Sequence, residues 1–304
     1  MLFSDLSRRS FLGGMAAAGL AAPGWPPKIS IFSKHLHWAE WPEMAATAKQ
    51  TGFDGIDLTV RKGGHVLPER VAEDLPKAAD IIRKAGLELT MITTDIVDPE
   101  SPHADAVLKT ASSLGVRYYR WDGFRYEDGI ALPRQLDALR PRVKALEALN
   151  RKYNMCAMYH THSGIGRVGA SQWDLWLLLK DLDPRFVGFN YDVGHATVEG
   201  GFGGWINSAR LAAPLMRGIA VKDFLWVKSQ AGEWRPQWCP LGEGMVNLPK
   251  FFAMAKESGF NGPLQIHYEY KLGGADTGQK NITIDKEKVL AAFKKDLDMV
   301  RRYV

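Results

Sequence analysis

The chain has 304 residues, 46% hydrophobic and 24% charged, which suits one large α/β domain or two small ones. The formal charge of +5 is modest, and no dense Lys/Arg stripe of the kind nucleic acid requires is present. Two cysteines, Cys156 and Cys239, lie far apart in sequence; an oxidising compartment permits a bridge, but free, partly buried thiols are the preferred reading.

Residues 1–27 read as a leader and linker, set apart from the fold. Ser7-Arg8-Arg9-Ser10-Phe11-Leu12 is a paired-arginine block. A weakly apolar Gly/Ala stretch from Gly13 to Ala22 follows, then Pro23-Gly24-Trp25-Pro26-Pro27. The pattern resembles the twin-arginine (Tat) export signal, a receptor-read address for folded proteins. It implies the Tat translocase as a partner during export and the periplasm as destination; an ordinary amphipathic N-terminal helix is the alternative. The apolar run is about ten residues, short of the roughly 20 that span a bilayer. A stable membrane anchor is therefore not expected. Removing Arg8, Arg9 and Asp5 leaves the remaining chain at about +4.

From 28 to 304 one unit repeats: a short β-rich run, then a longer amphipathic stretch. The predicted strands are 28–33, 54–60, 87–93, 116–121, 155–161, 186–192, 217–222 and 263–269. The predicted helices lie near 41–51, 69–85, 101–114, 133–153, 170–182, 204–215, 247–258 and 285–302. Gly52-Phe53, Gly86-Leu87, Gly115-Val116 and Gly259-Phe260 fit a Gly helix cap leading into the next element. Eight such units in about 275 residues predict a single-domain (β/α)8 TIM barrel. A doubly wound sheet is the alternative, but no G-x-G-x-x-G follows the first strand to support a dinucleotide-binding version.

In a barrel of this kind the C-terminal strand ends face the site. Those ends are rich in ionisable groups: Lys34, His35 and His37; Asp57 and Arg61 to His65; Asp95; Arg120-Trp121-Asp122; His160-Thr161-His162; Asp192 to His195; Lys222-Asp223; and His267-Tyr268-Glu269. Alternation along a strand places His160 with His162, and His267 with Glu269. Imidazoles and carboxylates on neighbouring strand ends suit a divalent cation, Mn, Zn, Co or Fe. The candidate metal set is His160, Asp192, His267 and Glu269. A lone strand histidine is more often a hydrogen-bonded core residue, so the grouping carries the argument rather than any one ring.

Asp192-Val193-Gly194-His195, Val221-Lys222-Asp223 and Pro240-Leu241-Gly242-Glu243-Gly244 resemble motifs of the xylose isomerase-like TIM barrels, the sugar phosphate isomerase/epimerase superfamily. Gly52 to Asp57 resembles that family's second-strand motif, and Tyr159-His160-Thr161-His162 its inosose dehydratase and keto-sugar branches. The resemblance implies one divalent cation held from strands five to eight. Carried over by position, the ligands fall on His160, Asp192 and His267, with Glu269 two residues beyond, while the seventh-strand histidine is replaced by Ala220. Either a drifted ligand set persists, or the metal is lost and Lys222 serves as the cation. His195 matches a substrate-contacting histidine. The loop 223–246 is long for its position, and its Trp226, like Trp121 on strand four, is a candidate platform for a sugar ring.

The implied chemistry is proton transfer next to the carbonyl of a keto sugar through an enediolate, with His160, His162 and Glu269 as candidate catalytic groups. Isomerase or epimerase is the leading expectation. A lyase or dehydratase acting on a 3-keto sugar or inosose and a non-catalytic carbohydrate-binding barrel are the competing ones. Self-association is left open.

Overall fold

A computed structural model describes residues 25–304; the paired arginines lie outside the described residues. Four of the strands, those starting at Gly55, Glu88, Tyr118 and Leu264, form where an apolar run follows a glycine helix stop. Gly52, Gly86, Gly115 and Gly259 all take positive φ, between 71° and 102°, a conformation glycine adopts at little steric cost. The residues after them, Phe53, Leu87, Val116 and Phe260, are buried.

In chain order the elements are β1 (Ile29–Phe32), α1 (Trp41–Thr51), β2 (Gly55–Val60), α2 (Val71–Lys84), β3 (Glu88–Thr94), α3 (Ala104–Ser113), β4 (Tyr118–Trp121) and α4 (Leu132–Tyr153). They continue with β5 (Cys156–His160), α5 (Trp173–Leu179), β6 (Val187–Asp192), α6 (Val193–Gly200), α7 (Gly204–Ala212) and β7 (Met216–Val221). The last are β8 (Asp223–Lys228), β9 (Trp234–Cys239), α8 (Leu248–Glu257), β10 (Leu264–Ile266) and α9 (Lys286–Arg301). Eight strands close into a parallel barrel in the order β1-β10-β7-β6-β5-β4-β3-β2. The doubly wound alternative is thereby excluded. No described helix is long and apolar enough to cross a membrane.

Strands β2, β5 and β6 are buried along their whole length, as a sheet covered on both faces requires. The outward side chains pack under the helices: Tyr119 donates to Asn150 Oδ1 on α4 at 2.8 Å. The inward ones fill the lumen, where Met91, Cys156 and Met158 form a separate small cluster. Cys156 and Cys239 are both free and buried.

Two elements differ from the sequence expectation. The segment 223–246 is not an irregular loop: β8 and β9 pair antiparallel from Asp223↔Cys239 to Lys228↔Trp234. The second is α6, which starts directly at the end of β6. The Asp192 carboxylate caps it by accepting from the His195 backbone N–H at 2.9 Å. Gly194 in its first turn lies so close to β7 that a Cβ would stand 2.9 Å from the Lys222 carbonyl oxygen.

The buried Asp223 anchors the return from the hairpin. Its carboxylate accepts backbone N–H groups of Phe224, Gly242, Gly244 and Val246 at 2.9 to 3.1 Å. A Cβ on Gly244 would overlap the same carboxylate, at 2.1 Å from Oδ1. The Pro240-to-Gly244 motif is thus a wrapping for Asp223, which accounts for both without a ligand.

Candidate active site

Strand ends β5, β6, β7 and β10 are consecutive in the barrel, so residues up to 109 positions apart in sequence meet at one mouth. His160, Asp192 and His267 offer ligand atoms all within 4.8 Å of one another, and all three residues are buried. His160 Nε2 stands 3.6 Å from Asp192 Oδ2. His160 Nε2 and both ring nitrogens of His267 have no hydrogen-bond partner, and Asp192 Oδ2 faces only the Lys222 ammonium at 3.2 Å. Buried polar atoms are normally satisfied, so donors left open toward a common point fit a divalent cation. Burial holds both imidazoles well below the ordinary histidine pKa, and only the neutral ring ligates.

His160 Nδ1 faces the Asn190 side-chain amide at 3.2 Å, and that amide also donates to Gln265 Oε1 at 2.9 Å. The amide N–H donates to Nδ1, which fixes the ring with Nε2 turned toward Asp192 Oδ2. Ala220 pairs in register with Asp192 and Gln265, so β7 contributes no ligand at that level. A second trio, His160, His162 and His195, is equally close. Its rings are already engaged, however: His162 Nδ1 with the His160 carbonyl at 3.1 Å, and His195 with Ser163 and Lys222, both at 2.8 Å.

Glu269 does not join the cluster as a free fourth ligand. Its Oε2 pairs with Lys222 Nζ at 3.0 Å, and its Oε1 is 4.0 Å from His267 Nδ1. Lys222 is buried, with Nζ also 3.2 Å from Asp192 Oδ2 and 4.5 Å from the Trp238 ring centroid. The ammonium donates to His195 Nε2, which makes Nδ1 the protonated nitrogen that donates to Ser163 Oγ. His195 is kept neutral by burial and by Lys222. Burial raises the Asp192 carboxyl to about 6 against the opposing pull of Lys222. Burial acts the same way on Glu269, but Lys222 and Lys34 overcome it and hold the carboxyl at about 2.

Two of the expected sugar platforms stand elsewhere. Trp121 faces the helical layer, buried edge-on against Phe124 and Tyr159, with its indole N–H donating to the Val97 carbonyl. Trp226 lies out on the hairpin, 37% exposed. Their places are taken by Arg120, whose Nη2 is 3.4 Å from His162 Nε2, and by Trp238, which meets His195 edge-on at 4.9 Å. Register would have settled the first case: Arg120 pairs beside Met158 and Trp121 beside Tyr159, so the arginine shares the inward phase of His160. The Trp238 wall borders a cleft of about 670 Å³ between the hairpin and Glu269-Tyr270. His162 is likewise in the mouth, its ring 4.5 Å from that of His160, and burial with Arg120 lowers its pKa to about 2.

The family profile described as xylose isomerase-like TIM barrel matches residues 45–300. No significant match is found among curated protein sequences. Among solved structures, the IolI protein with a bound zinc atom superposes with a TM-score of 0.70 at 14% identity, covering 91% of this chain and 99% of that one. The 3-keto-D-glucoside 4-epimerase YcjR of E. coli gives 0.65 at 10% identity, covering 91% and 99%. The probable 3-DHS dehydratase AsbF of Bacillus anthracis gives 0.65 at 14%, covering 90% and 98%. At these identities the likeness is one of fold.

Proposed function

The chain belongs to the xylose isomerase-like TIM-barrel family, and on that premise we propose that it catalyses proton transfer next to the carbonyl of a keto sugar, giving isomerisation or epimerisation. One observation carries the reading: donor atoms of His160, Asp192 and His267 converge at the mouth, with ring nitrogens of both imidazoles left without a partner. These three would hold a divalent cation, which when bound would supply a Lewis acid for a carbonyl oxygen. The residues themselves handle the proton. Glu269, kept ionised by Lys222 and Lys34, accepts it from carbon. Its low pKa makes it a carrier that returns the proton readily rather than a store. His162 is the second proton-handling group, on a strand end separated from that of Glu269 by β6 and β7. Lys222 fixes Glu269 and His195 in place, while Trp238 and the hairpin shield the mouth from water.

Metal analysis of the purified full-length protein, followed by incubation with ketoses and 3-keto glycosides in deuterium oxide, tests this. The expected result is stoichiometric divalent metal and deuterium entering at the carbon next to the carbonyl, both lost in His160→Ala. Absence of metal together with absence of exchange across these substrates would leave a carbohydrate-binding barrel.

Dehydration is the second reading, favoured by Lys34. Burial, with Lys222, Arg120 and Arg61, lowers its pKa to about 8 against the pull of Glu269, so its ammonium is acidic enough to protonate a departing hydroxyl. Growth of enone absorbance distinguishes this outcome. The paired arginines Arg8-Arg9 carry the further reading that the protein is exported folded to the periplasm.

A further inference from the structure

Three cationic side chains gather around Phe32, on the β1, β2 and β4 side of the mouth. From the centre of its ring, Lys34 Nζ is 5.7 Å away, Arg61 Cζ 5.6 Å and Arg120 Cζ 5.8 Å. Phe32 is itself buried and stacks on His267 at 4.8 Å. The trio is therefore adjacent to the candidate metal ligands, not a patch on the outer surface.

Among the described residues no carboxylate lies within 4.0 Å of any of the three cationic groups. The neighbouring acids Asp57, Asp122 and Glu269 act on the trio only at longer range, and the close contacts of Asp57 and Glu269 lie elsewhere. Asp57 accepts the Thr93 hydroxyl at 2.8 and 2.9 Å, and burial raises its carboxyl to about 7. Glu269 is held by Lys222 at 3.0 Å. Partly buried cations with no close ion pair are costly, and three in one place repel each other. Arg120 shows it: burial first and Arg61 next make its charged form less favourable. Surface lysines are commonplace, but two guanidinium groups and an ammonium around one buried ring form a cationic wall with no close ion pair of its own.

We propose that the substrate carries an oxyanion, a carboxylate or a phosphate, received by Lys34, Arg61 and Arg120 over Phe32. This narrows the keto-sugar reading above and rests on it only for the identity of the mouth as the substrate site. Guanidinium groups suit the task because their parallel N–H donors match both anions. The carbonyl end of the same molecule then faces His160, Asp192 and His267, so the charged group fixes which carbon is presented.

Three ligands on one six-carbon skeleton separate charge from shape: gluconate, glucitol 6-phosphate and uncharged glucitol. Calorimetric titration of the full chain, as purified and after treatment with chelator, reads their affinities without requiring turnover. At least one anion is expected to bind about tenfold or more tighter than glucitol in both states, the ratio a charged hydrogen bond supplies. Which anion leads identifies carboxylate or phosphate. Arg61→Gln and Arg120→Gln should each remove most of that preference, and Lys34→Met is the substitute should an arginine variant fail to fold. Equal binding of all three ligands overturns the proposal. So does a preference that survives these substitutions, or one present only with metal bound, since the anion would then sit on the ion. Failure of the catalytic reading shows separately, as missing deuterium exchange with anion binding intact.

Discussion

Replacing Asp223 with alanine isolates the anchor that holds the hairpin over the mouth. Four backbone N–H groups lose their acceptor. Gly242 and Gly244 lie near the surface and regain water, whereas Phe224 and Val246 are buried. A buried donor left unpaired costs about 1–3 kcal/mol, so two of them give a loss of about 4 kcal/mol. Urea unfolding followed by far-ultraviolet circular dichroism measures it, and Asp223→Asn, which keeps an acceptor oxygen, should fall between. The native-state tryptophan fluorescence should also change, because release of β9 lifts Trp238 from Lys222 and His195. A loss below about 1 kcal/mol would refute the reasoning, since it would mean that the amides find other partners.

Asp57 gives a pH-dependent test. Its carboxyl is raised to about 7 in the folded protein by burial, above the unfolded value, so the folded state retains the proton longer. Stability from this group is therefore present at acid pH and is lost as pH climbs from about 4 to 7. Asp57→Asn should flatten that fall, and urea midpoints at pH 4.5 and 8 that decline equally in both proteins would contradict it. Asn190→Ala should weaken divalent-metal binding about 10- to 100-fold by freeing the His160 ring, read by competition with a chromogenic chelator; unchanged affinity would remove Asn190 from the site. The joint change Arg8→Lys and Arg9→Lys keeps the charge but breaks the export pattern, and cell fractionation should show retention in the cytoplasm.

The barrel was legible because its strands are short apolar runs, four of them preceded by glycine stops, and the eight predicted strands all overlap observed ones. His160, Asp192 and His267 were legible because strand alternation and family spacing point to the same positions. The hairpin was not: Pro236 and the polar turn at 229–233 make its strands read as loop, and their pairing becomes evident only in three dimensions. Trp121 was misplaced because Tyr118-Tyr119-Arg120-Trp121 is amphipathic on both faces, so hydrophobic alternation does not say which residue points inward. The partnership of Lys222 with Glu269 joins side chains 47 residues apart, and no local pattern encodes it. The resemblance placed Glu269 among the ligands, where the ammonium has prior claim on one of its oxygens.

That ammonium has a bearing on the charge balance of the mouth with and without a cation. In a site built from carboxylates alone, chelation exposes bare anions to each other and the pocket springs open. Here Lys222 is covalently resident between Asp192 and Glu269 at 3.2 and 3.0 Å, a permanent neutraliser that cannot be washed out. A cation bound there could leave without stranding two bare anions, so the mouth would keep its charge balance with or without it.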